Sequence, residues 1–169
     1  QSDSVDFGDL TSAMRGMASI SSTTRGIYAG GATPSKLNII QFVTIMTTGD
    51  ATDFGDLITA KDFSAGGSNA TRGTISGGRT PSQVNVIEFI TIATVGNAVD
   101  FGDLTVARGE FSGSSSKIES VMVGGGIGGG VTNTIDFIAI ASGGNAQDFG
   151  DLVSARYHAS ATTNGHGGL

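Results

Sequence analysis

The sequence predicts an all-β protein of tandem four-stranded antiparallel units of about 47 residues, with a propeller-like arrangement favoured. Three observations carry this expectation. A five-residue motif recurs at intervals of 47, 47 and 48 residues. The segments between its copies are rich in Ile, Val, Phe and Thr, which suit a pleated surface. Helical periodicity is absent, and 28 Gly in 169 residues would penalise helices in any case.

The motif is Asp6-Phe7-Gly8-Asp9-Leu10, repeated as Asp53-Phe54-Gly55-Asp56-Leu57, Asp100-Phe101-Gly102-Asp103-Leu104 and Asp148-Phe149-Gly150-Asp151-Leu152. A period of this length signals a solenoid, a propeller or a similar array. Each repeat reads as four segments. Segment B is Gly26 to Ala29, followed by a double Gly. Segment C is Leu37 to Thr47, with copies at Val84 to Thr94 and Thr132 to Ser142. Gly49-Asp50, Gly96-Asn97 and Gly144-Asn145 then read as two-residue hairpin turns, because Gly, Asn and Asp tolerate positive φ. Segment D holds the motif. Segment A is the small-residue stretch after it, such as Phe63 to Asn69.

In the second copy of segment C, Val86, Ile90 and Ile92 share one face, and Ile87, Phe89 and Ala93 the other. Both faces are apolar, so the strand is expected to be covered on both sides, as in stacked blades. Glu88, with its equivalents Gln41 and Asp136, interrupts the pattern and is expected at an edge or solvated seam. Three units are fewer than the four blades a closed propeller needs. A threefold β-prism or β-trefoil therefore stands as the alternative.

By this register residues 1–24 form a half unit, 25–71 the first unit, 72–118 the second, and 119–169 the third with the C-terminal segment. The half unit has no partner within the chain. Upstream repeats, a neighbouring subunit or strand exchange would cover it. The chain opens at Gln, as a processed product or a fragment would.

Composition narrows the function. The net charge of −6 argues against nucleic acid, which needs a basic face. No run of 18 apolar residues is present, so membrane insertion is not expected. The absence of Cys excludes disulfides and thiolate metal sites. Asp-Phe-Gly occurs four times without a kinase's other motifs, so a structural role is expected instead. In that role Phe is a core plug, Gly permits close backbone approach, and the Asp pair caps turns or meets Lys61, Arg108 and Arg156. Calcium needs six to eight oxygens, and the spacing of these Asp does not supply a calcium loop. No unique acid, base, nucleophile or metal cluster stands out, so neither an enzyme nor a cofactor is expected.

The stretch Gly124 to Gly130, broken by Ile127, lacks the Lys-Ser/Thr of a phosphate loop and reads as a flexible surface loop. It replaces Arg79-Thr80-Pro81-Ser82 of the second copy and Ala32-Thr33-Pro34-Ser35 of the first. Variable loops on a repeated scaffold are where binding specificity resides. Those around Arg79, Thr80, Ser82 and Ile127 are therefore the candidate receptor contacts. His158 and His166 are read as exposed or capping residues. Asn69-Ala70-Thr71 is a glycosylation sequon that matters only in a secretory pathway.

Segment B ending in double Gly, then C and D each with an aromatic, resembles a kelch-like repeat. The run Asn85 to Thr94, then Gly96-Asn97-Ala98, Asp100 to Leu104 and Ala107-Arg108, resembles tandem-repeat proteins of tailed bacteriophages from aquatic environments, as does the ending His166-Gly167-Gly168-Leu169. Kelch repeats carry a Tyr and a Trp about six residues apart, whereas here two Phe stand twelve apart and Trp is absent. The resemblance implies a non-enzymatic virion structural and adhesive protein of the tail-fibre or appendage type. It also implies self-association or other virion proteins as partners, and a host-surface glycan as ligand. A self-assembling extracellular filament subunit and a lectin-like domain are the alternatives.

Overall fold

The computed structural model describes residues 3–162. Among the described residues there is no helix, and the chain folds as three four-stranded antiparallel sheets. The first sheet holds β1 (Ala18–Ser21), β2 (Arg25–Ala29), β5 (Ile39–Thr44) and β6 (Thr52–Asp56), with a short ribbon of β3 (Ala32–Thr33) and β4 (Ser35–Lys36) between its middle strands. The second holds β7 (Ala65–Ser68), β8 (Arg72–Ser76), β9 (Val86–Thr91) and β10 (Val99–Asp103). The third holds β11 (Ser112–Ser115), β12 (Glu119–Val123), β15 (Thr134–Ala139) and β16 (Gln147–Asp151). Its ribbon is β13 (Gly126–Ile127) and β14 (Gly130–Val131). Each sheet is a meander whose strands follow one another in space, A to D. Strand A pairs with the B strand that follows it, so β7 lies in the second sheet although residues 25–71 make one period of the sequence.

The sheets face one another through apolar surfaces. Ile20, Ile27, Ile40, Phe54 and Leu57 of the first sheet's side pack with Ile75, Ile90, Ile92 and Ala98 from the second. Ile87, Phe101 and Leu104 pack likewise with Phe111, Met122, Ile138 and Ala146. The middle sheet is therefore covered on both faces, as its two-sided apolar pattern predicts. Within each sheet the two Phe of strands C and D meet edge to face, with centroids 5.9 Å apart for Phe42–Phe54 and 6.0 Å for Phe89–Phe101. This is the geometry the aromatic quadrupole favours.

The A strands of the three sheets lie side by side, β1 against β7 and β7 against β11. Small residues make this possible. A Cβ on Gly66 would stand 2.0 Å from the Ser19 carbonyl oxygen, and one on Gly113 2.4 Å from that of Gly66. The Ser, Ala and Gly content of segment A is thus the signature of an inner edge where backbones touch.

The turns differ from expectation. Gly49-Asp50 and its copies do not close two-residue hairpins. Seven residues, 45–51, join β5 to β6, and the turn of the chain comes at Thr44 to Thr47. The Gly-Asp/Asn pair is used for inter-unit bonding instead. Gly124 to Gly126 are buried rather than part of a flexible loop, and Gly126 N–H donates to the Gly109 carbonyl at 2.7 Å.

Candidate functional site

Two kinds of surface are candidates: the seams between units, including the two that stay open, and the rim that carries the variable hairpins.

Each seam is built the same way. The D strand of one unit lies along the Gly-Asp/Asn segment of the next. Gly96 N–H donates to the Phe54 carbonyl at 2.7 Å and Ala98 N–H to that of Asp56 at 2.8 Å. Asp56 N–H donates to Asn97 Oδ1 at 3.0 Å. The next seam repeats this with Gly144 on Phe101, Ala146 on Asp103, and Asp103 N–H on Asn145 Oδ1. The motif Gly is required there. Gly55 has φ +144°, and its Cβ would lie 2.5 Å from the Gly96 carbonyl. The motif Phe is the bulged residue of strand D, since Asp100 pairs with Glu88 and Gly102 with Ile87. Phe54 and Phe101 are 2% and 5% exposed, as core plugs should be. Phe7 and Phe149 are not plugs; they are 39% and 63% exposed.

A second device crosses each seam. Lys61, after the first sheet, stands 2.8 Å from Glu88 of the second. Arg108, after the second, stands 3.0 Å from Asp136 of the third. All four are buried. Burial lowers the pKa of Lys61 and of Arg108, while the carboxylate facing each opposes the shift. Backbone and hydroxyl donors add to each carboxylate: Ile58 N–H to Glu88 at 2.8 Å, and the Thr105 hydroxyl to Asp136 at 2.6 Å. Gln41 holds the equivalent place in the first sheet, taking the Thr11 N–H at 2.9 Å and meeting Met14 Sδ at 3.2 Å. The Gln41, Glu88 and Asp136 positions are therefore fully buried polar sites, 0%, 1% and 0% exposed, not a solvated edge. Likewise Lys61 and Arg108 pair with these residues rather than with the motif Asp. The first Asp of the first and last motif copies acts locally: Asp6 Oδ1 accepts from Gly8 N–H at 3.1 Å, and Asp148 Oδ1 from Gly150 N–H at 2.9 Å. The Arg156 guanidinium turns back on its own loop, donating to Ser154 Oγ at 2.7 Å and to the Ser154 carbonyl at 3.4 Å.

The variable hairpins share one end of the sheets. Their bases are tied to the preceding D–A connection at Arg15–Ala32, Asp62–Arg79 and Gly109–Gly126. Lys36 Nζ donates to the Arg79 carbonyl at 2.9 Å. Arg79 lies over Phe63 and faces Asp62 and Glu110 at 3.5 and 3.3 Å. It is thus engaged within the rim, while Ser82 and Gly128 to Gly130 form exposed tips. Thr80 and Ile127 are half-buried. Exposed His158 sits beside Tyr157 and 3.7 Å from Glu110. His166 lies outside the described residues. Asn69 caps its own turn by accepting from the Thr71 and Arg72 N–H groups. Among the described residues no group of three or more His, Cys, Asp or Glu is placed to hold a metal ion.

Two sheet faces lack the cover their equivalents have. On the third sheet Val121, Val123, Ile135 and Leu152 are half-buried and Phe149 is exposed, whereas Ile40, Ile87, Leu57 and Leu104 at matching positions are buried. On the first sheet Tyr28 and Val43 are half-buried and Ile45 is 43% exposed, against 2% for Ile92 at the matching position. A cleft of about 620 Å³ opens onto this second face and reaches Phe111 and Ala161. Sequence reasoning marked the motif residues and the loops but did not single out these faces. Their signal was present in the two-sided apolar pattern of segment C.

No protein-family model and no curated protein matches this sequence.

Proposed function

We propose that this chain is a non-enzymatic virion structural and adhesive protein, part of a phage tail fibre or appendage, that meets a host-surface receptor through its hairpin rim. The observation that carries the reading is the contrast along that rim. Three hairpins of different sequence, over residues 32–36, 79–83 and 126–131, stand on three sheets that repeat one strand order and one D-strand motif. Seams of one repeated backbone pattern with variable tips are the arrangement of a display scaffold. The three sheets serve as blades of a propeller-like array, and a surface glycan is the ligand class that exposed hydroxyl and backbone groups at the tips suit. The resemblance to phage repeat proteins supports the virion setting.

Binding to an array of bacterial surface polysaccharides tests the contact. A hit that Ser82→Ala or a shortened 128–130 tip weakens supports it, and a clean negative across host polysaccharides sinks it. Antibody labelling of phage particles tests the virion setting separately, and labelling absent from the particles overturns it.

A further inference from the structure

We propose that the open face of the third sheet docks onto the open face of the first sheet of a second copy of this chain, and that the segment Asp6–Leu10 of that copy occupies the docking site until displaced. The inference concerns assembly and is independent of any host contact.

The seam is drawn twice within the chain, and its two halves remain at the open faces. On one side stands β16, whose Asp148-Phe149-Gly150-Asp151-Leu152 repeats the motif that forms both internal seams. A Cβ on Gly150 would meet nothing within 4 Å, where one on Gly55 or Gly102 would strike the next unit. The connection after β16 is already seated as in the inner units. Gly125 N–H donates to the Arg156 carbonyl at 2.9 Å, as Gly31 does to Lys61 and Gly78 to Arg108. Arg156 thus stands where Lys61 and Arg108 reach across their seams.

On the other side the Gly49–Ala51 segment is taken. Gly49 N–H donates to the Phe7 carbonyl at 2.7 Å and Ala51 N–H to that of Asp9 at 2.8 Å, and Asp9 N–H donates to Asp50 Oδ1 at 3.0 Å. These are the bonds of the internal seams, made by a segment that belongs to no strand. Asp6–Leu10 has the sequence of a D strand and the backbone contacts of a D strand, with no C strand behind it among the described residues. It is a stand-in for β16 of a preceding unit. It also fills the place poorly, since Phe7 keeps 39% exposure where Phe54 keeps 2%. An incoming β16, already backed by its sheet, brings the same carbonyls together with the apolar face of Val121, Ile135 and Phe137.

The seam between copies is weaker than the internal ones for two reasons. Arg156 meets neutral Gln41 rather than a carboxylate. Glu119 replaces the arginines at positions 25 and 72, which donate across their seams to the Ile92 carbonyl at 2.7 Å and the Ala141 carbonyl at 2.9 Å. Association is therefore reversible and competes with the internal segment.

Sedimentation equilibrium over a concentration series tests this on the full chain. In Gly8→Val, a Cβ would lie 2.3 Å from the Gly49 carbonyl oxygen and unseat the stand-in. Its dimer dissociation constant is expected to fall about tenfold or more below that of the wild type. Phe149→Glu, at an exposed position, is expected to return Gly8→Val to monomer. A folded Gly8→Val that associates no better than wild type overturns the proposal, as does association that ignores Phe149→Glu. Should circular dichroism show Gly8→Val unfolded, the wild type and Phe149→Glu decide alone. Concentration-dependent association of the first, lost in the second, supports the seam, and a wild type monomeric into the millimolar range overturns it.

Discussion

Lys61 and Glu88 are each 1% exposed and stand 2.8 Å apart, and they belong to different units of the repeat. The pair is therefore a bolt across a seam rather than a brace within a sheet. Breaking one partner of a buried pair leaves an uncompensated charge and costs about 3–5 kcal/mol. Lys61→Met is expected to destabilise the chain by that order in denaturant unfolding. Lys61→Met with Glu88→Gln rebuilds the Met14–Gln41 arrangement already present one unit earlier, and should recover most of the loss. A double variant as unstable as the single one would contradict this account.

The same lysine gives a pH dependence with a definite sign. Burial holds its ammonium below the ordinary lysine range, against the pull of Glu88. Between that lowered pKa and the ordinary value, the unfolded chain binds more protons than the folded one, so this group makes stability rise with pH. Below the lowered pKa its contribution is flat. The stability of the wild type minus that of the Lys61→Met/Glu88→Gln variant should climb across that alkaline window. A difference that falls there would contradict the burial argument.

The four motif phenylalanines should respond very differently to truncation. Phe54 is 2% exposed between two sheets and Phe149 is 63% exposed. Phe54→Ala is expected to cost about 3–5 kcal/mol, as large core deletions do. Phe149→Ala in the monomer should cost under about 1 kcal/mol. Equal costs in urea unfolding would mean that the third sheet's face is covered.

Glycines of identical motif position should likewise diverge. Gly55 and Gly150 both have positive φ, at +144° and +136°. Only at Gly55 would a Cβ meet backbone, 2.5 Å from Gly96. Gly55→Ala should therefore be more destabilising than Gly150→Ala by about 1–3 kcal/mol, the range of named steric mechanisms. Thermal melts of the two variants give the comparison.

Much of the fold was legible because repetition and apolar alternation are properties of strands themselves. Segment C, covered on both faces, followed from Ile87 and Ile90 pointing opposite ways. The polar residue within it misled for a physical reason. Glu88 alone looks like an interruption, and only the fold brings Lys61, 27 residues earlier, to its side. The Gly49-Asp50 pair carries the composition of a hairpin turn, yet its Gly49 N–H donates to the Phe7 carbonyl, 42 residues earlier, and its Asp50 carboxylate accepts from the Asp9 N–H. Local chemistry gave the conformation these residues tolerate, and long-range pairing decided their use. The open faces were legible only in part: segment C is apolar on both sides in every copy, but the pattern alone does not distinguish a covered copy from an uncovered one.

The pair at the Gln41 position differs from copy to copy: half-buried Met14 with buried Gln41, then the buried pairs Lys61 with Glu88 and Arg108 with Asp136. Repeats of near-identical sequence risk docking in the wrong order during folding, since one apolar face fits another. Here a unit placed out of turn would set lysine against an amide, or leave a carboxylate facing methionine in a dry interior. The three chemistries therefore number the units, and the chain carries its own assembly order in side chains set between its sheets.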